Sequence, residues 1–328
     1  MLPCPWTVNT LLAAASATSM LALPAAAASS KRGLVFTPNM TTPADDRIWI
    51  EEPTTLTWYY NYMPNPEPLY QDVPQSEFEF VPMMWGVPGN LDDTSFLATV
   101  KSLIKNEAIR ITNVLSFNEP DGPFEYGGSQ IEPSVAANLW VNNIIPLQEM
   151  GVRVGLPACT GGPNGLPWLR NFLSECSVLI SSGGRQRNCT FDFVTIHWYG
   201  NFEGLASHMG EYSAAFPNKT MWITEFNMDH QDLEATQSFY NISTEYFDRL
   251  DIVERYSYFG AFRSDVSNIG PNGAMISNNG SLTDIGAWYL GREPTGILPT
   301  SSSSLRLPMS QTIVTMFAVV VAASVSLA

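Results

Sequence analysis

Cations, cysteines and histidines are scarce in this sequence. Lys and Arg together number 16 against 31 Asp and Glu, a formal net charge of −15 over 328 residues. A face that binds a phosphate backbone needs clustered Lys and Arg, so nucleic acid is excluded as a partner, whereas an uncharged ligand is compatible. The 3 histidines and 4 cysteines show no spacing that resembles a zinc site. A Gly-rich phosphate turn is also missing after the first apolar run, where TPNMTTP follows instead. No metal or organic cofactor is expected. What is present is ordinary globular material, 45% hydrophobic and 14% charged, enough to bury a large core.

The two ends read as processing signals. Residues 7–28 are apolar and uncharged and close in small residues, so 1–28 is expected to be a signal peptide cut near Ala28. Lys31-Arg32 could serve as a second, dibasic trimming site. At the other end, a Ser/Thr-rich stretch (293–304) leads to the apolar tail 312–328. Small residues, a spacer and an apolar terminus form the pattern of a GPI-anchor signal, so 293–304 is expected to hold the attachment site and 305–328 to be a propeptide. A tail-anchored span is the alternative. The expected location is outside the cell, at the wall or the outer face of the plasma membrane, with a GPI anchor as the sole membrane contact. Cysteine usage agrees. Cys176 and Cys189 bracket the polar loop SSGGRQRN and suit a disulfide, which leaves Cys159 as a packed thiol. Sequons at Asn39, Asn188, Asn218, Asn241 and Asn279 suit a glycosylated surface.

Between the signals, short apolar runs alternate with amphipathic stretches. Strands are predicted at 33–38, 55–63, 79–86, 113–120, 153–161, 193–200, 220–227 and 253–260, with helices at 94–107, 133–150, 167–181, 204–216 and 231–250. Strands apolar on both faces that alternate with helices imply a parallel sheet. Eight such units in about 260 residues point to a single α/β domain over 31–292, a (β/α)₈ TIM barrel; an open doubly wound sheet is the runner-up. Almost every run ends in polar or aromatic residues (TPN, YYN, WG, NEP, HWYG, TEFN), and in a barrel those ends converge on the face that carries active sites.

Two carboxylates stand at such ends, Glu119 on the fourth run and Glu225 on the seventh. Either alone could be a cap or an ion-pair partner. Brought together across a barrel mouth, they form the pair that glycoside hydrolysis requires. One acid protonates the departing oxygen, and the other attacks the anomeric carbon or directs water to it. Asn118 could hydrogen-bond a sugar hydroxyl, and Pro120 stiffens the exit of the strand. His197, Trp198 and Tyr199 end the neighbouring sixth run, where a donor would stabilise an ionised nucleophile; a merely packed His197 is the competing possibility. Trp58, Tyr60, Trp85, Tyr256 and Tyr258 also fall near predicted strand ends. Sugar rings stack on aromatic faces, although barrel packing would use the same residues.

The series KRGLVF, FVPMMWG, VLSFNEPD, GLPACT, TIHWYG and WITEFN, in this order over roughly 31–292, resembles the secreted fungal members of glycoside hydrolase family 128, the alkali-sensitive-linkage type of cell-wall protein. The NEP motif with a second Glu three strands on also resembles the wider retaining glycosidase superfamily. The resemblance implies a (β/α)₈ barrel that acts on β-1,3-glucan with retention, as an endo-β-1,3-glucanase. By position, Glu119 would be the acid/base and Glu225 the nucleophile, with Asn118, Trp85, His197, Trp198 and Tyr199 lining the cleft. Tyr62 and Tyr258 stand where tryptophans are expected, and Leu156 replaces a small polar residue. Such a pair of carboxylates would lie about 5–5.5 Å apart. A glucan-binding protein of little activity and a transglycosylase are the alternatives. The partner is then a β-glucan polymer or oligosaccharide and the protein a monomer. Glycans on Asn39 and Asn279 would edge the mouth, and those on Asn188 and Asn218 the opposite face.

Overall fold

A computed structural model describes residues 29–106, 109–181 and 185–300. The expected signal peptide, the serines of 301–304 and the apolar tail lie outside the described residues. Among the described residues no helix is long and apolar enough to cross a membrane.

The eight expected strands are all present: β1 (Arg32–Val35), β2 (Trp58–Tyr60), β3 (Glu79–Phe80), β4 (Asn113–Val114), β5 (Arg153–Val154), β6 (Phe193–Tyr199), β7 (Thr220–Asn227) and β8 (Val253–Tyr258). A parallel sheet runs in the order β3-β2-β1-β8-β7-β6, and β4 pairs with β5. Parallel bridges from Met83 to Leu115 and from Gly155 to Phe193 join the two sheets on both sides. The ring therefore closes, which leaves no free edge. The (β/α)₈ expectation holds, and the open sheet does not.

Helices α1 (Ser95–Asn106), α2 (Pro133–Asn143), α3 (Ile145–Glu149), α4 (Gly165–Ile180), α5 (Phe202–Ala215), α6 (Leu233–Arg249) and α7 (Asp284–Tyr289) surround the ring. The helix expected over 133–150 is two. Ile144 closes α2 and Pro146 stands in the first turn of α3, where a proline that lacks an N–H is tolerated but cannot continue a helix from before. Cys176 of α4 is bonded to Cys189, and Cys159 is free and buried. Asn188, Asn218, Asn241 and Asn279 are exposed and Asn39 half-buried. The body does not stop at 292. Thr295 donates to the Leu282 carbonyl, Gly296 N–H to Asp284, and the Pro299 carbonyl accepts from Asn278 N–H, so the segment through Pro299 is docked on the barrel.

Two apolar layers share the strands. Alternate residues face the helices, among them Leu34, Tyr59, Phe226 and Tyr258. The others fill the interior: Val35, Trp58, Tyr60, Val81, Met83, Leu115, Phe193 and Trp222. Large rings fit there because glycine stands opposite them. A Cβ on Gly33 would meet the Trp58 ring at 2.1 Å, and one on Gly155 the Phe193 ring at 2.6 Å. The filled interior forms a floor, and the site lies above it.

Candidate active site

Two local departures from regular strand geometry aim the carboxylates. On β7, Ile223 pairs with Ile196 of β6 but the next pair is Glu225 with His197, so Thr224 is an extra residue. The pairing with β8 slips over the same stretch, from Ile223–Tyr256 to Phe226–Tyr258. Such a bulge shifts the in–out alternation by one. Trp222 points inward, and unbroken alternation would turn Glu225 outward; the bulge brings it back into the barrel. The Thr224 carbonyl accepts from the Tyr60 and Ser257 hydroxyls, which fixes the bulge.

Glu119, just past β4, has φ 41°, in the left-handed region that side chains with a Cβ avoid. The surrounding bonds hold it there. Its N–H donates to the Ala158 carbonyl at 2.6 Å, and its own carbonyl accepts from Gly122 N–H at 2.9 Å. Asp121 accepts from Thr160 N–H and Oγ1 at 2.8 and 2.7 Å, which ties the exits of β4 and β5 together. The result is a carboxylate turned back over the mouth.

Glu119, Glu225 and His197 meet there. One oxygen of each carboxylate and a ring nitrogen of His197 lie within 4.8 Å of one another. His197 Nδ1 is 3.0 Å from Glu119 Oε1 and 3.5 Å from Glu225 Oε2. Tyr199 Oη donates to Glu225 Oε2 at 2.5 Å and Tyr62 Oη to Oε1 at 2.7 Å. Burial pushes the Glu225 carboxyl above the ordinary carboxylate range. His197 pulls it down, Glu119 pushes it up, and the two tyrosine hydroxyls pull it down; burial wins. For His197, burial alone would lower the pKa, but Glu225 and Glu119 overcome that and raise it. One imidazole nitrogen thus faces two carboxylates. These three side chains also have the spacing of a cation site, but both oxygens of Glu225 already accept from hydroxyls, which suits a carboxylate partnered by protons.

Above this trio opens a cleft of about 870 Å³, bordered by Trp85, Tyr126, Trp198, Phe259 and Ile269 and by the polar side chains of Asn118, Glu125, Thr160, Asp229 and Asn268. Asn118 Nδ2 donates to the Gly127 carbonyl at 3.1 Å, while its Oδ1 has no partner among the described residues.

Of the expected site residues, Glu119, Glu225, Asn118, Trp85, Trp198 and Tyr199 border the cleft. His197 lies beneath it, fully buried between the carboxylates, neither a sugar contact nor a bystander. Trp58, Tyr60 and Tyr258 do not border it. Residues 58, 60 and 62 all point inward, one above another. Trp58 is the deepest, packed on Trp222 with its Nε1–H on the Lys31 carbonyl, and Tyr60 sits under Glu225. Tyr62 is the one that reaches the mouth. Tyr258 points outward onto Phe226 and Tyr240, and its neighbour Phe259 faces the cleft instead. Sequence reasoning noted Tyr62 only as standing in place of a tryptophan, although a period of two from the buried Trp58 leads to it, and it passed over Phe259 and Tyr126.

Residues 33–289 match the family described as Glycosyl hydrolase catalytic core. The chain is 30% identical over 271 residues to Alkali-sensitive linkage protein 1 of Schizosaccharomyces pombe, which covers 80% of this chain and 44% of that protein. The chain therefore spans less than half the length of that curated relative. A curdlan-specific exo-β-1,3-glucanase of Blastomyces gilchristii, a subgroup III member of glycoside hydrolase family 128 solved with glucose, superposes with a TM-score of 0.61 at 27% identity, over 80% of this chain and 98% of that one. A subgroup II endo-β-1,3-glucanase of Pseudomonas viridiflava gives 0.62 at 26% identity, over 81% and 99%.

Proposed function

We propose, from the premise that this chain belongs to the glycosyl hydrolase catalytic-core family and within it to glycoside hydrolase family 128, that it cleaves internal β-1,3-glucosidic bonds of glucan with retention. The observation that carries the mechanism is the short separation of Glu119 and Glu225, whose nearest oxygens lie within 4.8 Å. Carboxyl groups about 5–5.5 Å apart suit a covalent glycosyl-enzyme, whereas inversion leaves about 6.5–9.5 Å for a water.

Glu225 is the nucleophile, embedded in the wall with hydroxyl donors on both oxygens. Glu119 is the acid/base. It stands on the open side of the trio and delivers its proton to the departing oxygen, then takes one from the attacking water. His197 lies between them with Nδ1 within reach of both, and it stabilises negative charge on Glu225 before attack and on Glu119 once that residue has given its proton to the departing oxygen. Asn118 Oδ1, buried and without a partner among the described residues, supplies an acceptor for a sugar hydroxyl. The rings of Trp85, Trp198 and Phe259 suit the flat C–H faces of glucose units, which bear no charge.

The test is product analysis on a defined β-1,3-glucooligosaccharide, with Glu225→Gln as control. Shorter products from the parent and none from the variant support the proposal. Longer products would make the protein a transglycosylase. Tight binding without products would make it a glucan-binding protein.

A further inference from the structure

Glu225 carries an unusual load of hydroxyl donors. Tyr199 of β6 takes Oε2, and Tyr62, beyond β2, takes Oε1. Tyr60 approaches Oε1 only to 3.4 Å and has a closer acceptor in the Thr224 carbonyl at 3.0 Å. Tyr62 reaches its place from a backbone with φ 60°, in the left-handed region that residues with a Cβ avoid. That strain persists where the surroundings over-determine it, and here the Tyr62 ring packs edge-on against Tyr60 at 5.1 Å.

We infer that Tyr62 is a positioning residue that sets the balance between the two halves of the reaction and favours release of the sugar from Glu225. This rests on Glu225 being the nucleophile. In the first half, the glycosidic C1–O bond breaks with its electron pair on the leaving oxygen, Glu119 gives that oxygen its proton, and a C1–O bond to Glu225 forms. In the second, water attacks C1 and passes a proton to Glu119, while the C1–O bond to Glu225 breaks and returns its electron pair to the carboxylate. A hydroxyl on that carboxylate stabilises its charge, so it opposes the attack and assists the departure. Charge is shared between both oxygens, so the effect does not depend on which of them bonds C1. Tyr62 keeps its own proton throughout, because burial disfavours a tyrosinate and the Glu225 carboxylate, whenever it is ionised, disfavours it further. The groups that face Glu225 are Glu119 from the end of β4, His197 and Tyr199 from β6, and Tyr60 and Tyr62 from β2 and its extension.

The test is Tyr62→Phe, which deletes the hydroxyl and leaves the ring. With a 2,4-dinitrophenyl β-1,3-linked disaccharide glycoside, the variant should release a burst of dinitrophenolate and then turn over more slowly. We expect kcat about tenfold lower with kcat/KM retained. The acid limb of kcat/KM should move up by about one pH unit, since a donor that held the Glu225 pKa down is gone. Absence of a burst with an unmoved acid limb, or equal losses in kcat and kcat/KM, overturns the role of Tyr62. Labelling the parent protein with a 2-deoxy-2-fluoro glycoside separates the two levels. A sugar on Glu225 with unchanged Tyr62→Phe kinetics sinks this inference alone, whereas a parent protein that neither turns over nor takes the label sinks the proposed function as well.

Discussion

The two ends of the barrel are built from the same residue types and treat charge in opposite ways. At the lower end, where the strands begin, the half-buried carboxylates of Glu254 and Glu79 each have a guanidinium. Arg153 grips Glu254 with two bonds of 2.6 and 2.8 Å, and Thr220 adds a third. Arg255 bonds Glu79 at 2.5 Å, helped by Thr112 and Asn113, and its guanidinium lies 4.4 Å from the Trp222 ring centroid. Burial would raise both acids, but these partners hold Glu79 below the ordinary range and Glu254 down to about 2. At the upper end two carboxylates share one imidazole, and burial leaves Glu225 above the ordinary range. Matched pairs close the floor. Above it, two carboxylates face a single titratable nitrogen.

The largest effect should come from removing charge at the top. Glu225→Gln should lower kcat by about 10⁴-fold or more and should not destabilise the fold. A carboxyl whose folded pKa lies above its unfolded value loses stability as pH rises from the unfolded value through the folded one, so at neutral pH the ionised side chain is a cost that the amide lacks. Thermal melts at pH 7 check this: a marked fall in Tm would mean that the upper trio is as structural as the lower pairs.

At the bottom the expectation reverses. Arg255→Met leaves the half-buried Glu79 without its guanidinium and should cost about 3 kcal/mol, while the molecules that stay folded keep their turnover. Urea unfolding together with titration of active sites would measure the two separately. Equal loss of stability and of specific activity would break the contrast.

The acid side of the stability profile gives a smaller effect. Glu79 and Glu254 have folded pKa values below the unfolded value of about 4.3, so their contribution is complete above that pH. It is lost as pH falls toward about 2 for Glu254. Side chains of Arg153 and Glu254 remain 39% and 30% exposed, so solvent screens the pair and its share is modest. In Glu254→Gln, stability should therefore decline less between pH 5 and 3 than in the parent, relative to each protein's own value at pH 5. A steeper decline would place the acid sensitivity elsewhere.

The architecture was legible because alternation and turn signals are local: all eight strands lie where the apolar runs stand, and the polar ends gather on one face. The carboxylates were legible as strand endings, and the disulfide as a loop closure. What lies in the third dimension was not. No residue of WITEFN announces the bulge at Thr224 that turns Glu225 inward, nor does NEP announce the left-handed backbone of Glu119. The depth of Trp58 follows from glycine at position 33, on a different strand. Position along a run therefore indicated the correct end of the barrel but not which aromatic would reach the cleft.

That last distinction is testable on two adjacent residues of opposite facing. Tyr258 is fully buried among Phe226, Tyr240 and Tyr289, on the helix side of β8. Phe259 packs on Tyr199 at 5.6 Å and borders the cleft. Tyr258→Phe keeps the ring where it packs, so catalysis should stay within about twofold of the parent, a change too small to mark a lost substrate contact. Phe259→Ala removes an aromatic face next to the tyrosine that holds Glu225, and should raise KM for a β-1,3-glucooligosaccharide about three- to tenfold. If Tyr258→Phe were the variant that lost affinity, the end of β8 would be flipped, with Tyr258 toward the cleft and Phe259 toward the helices.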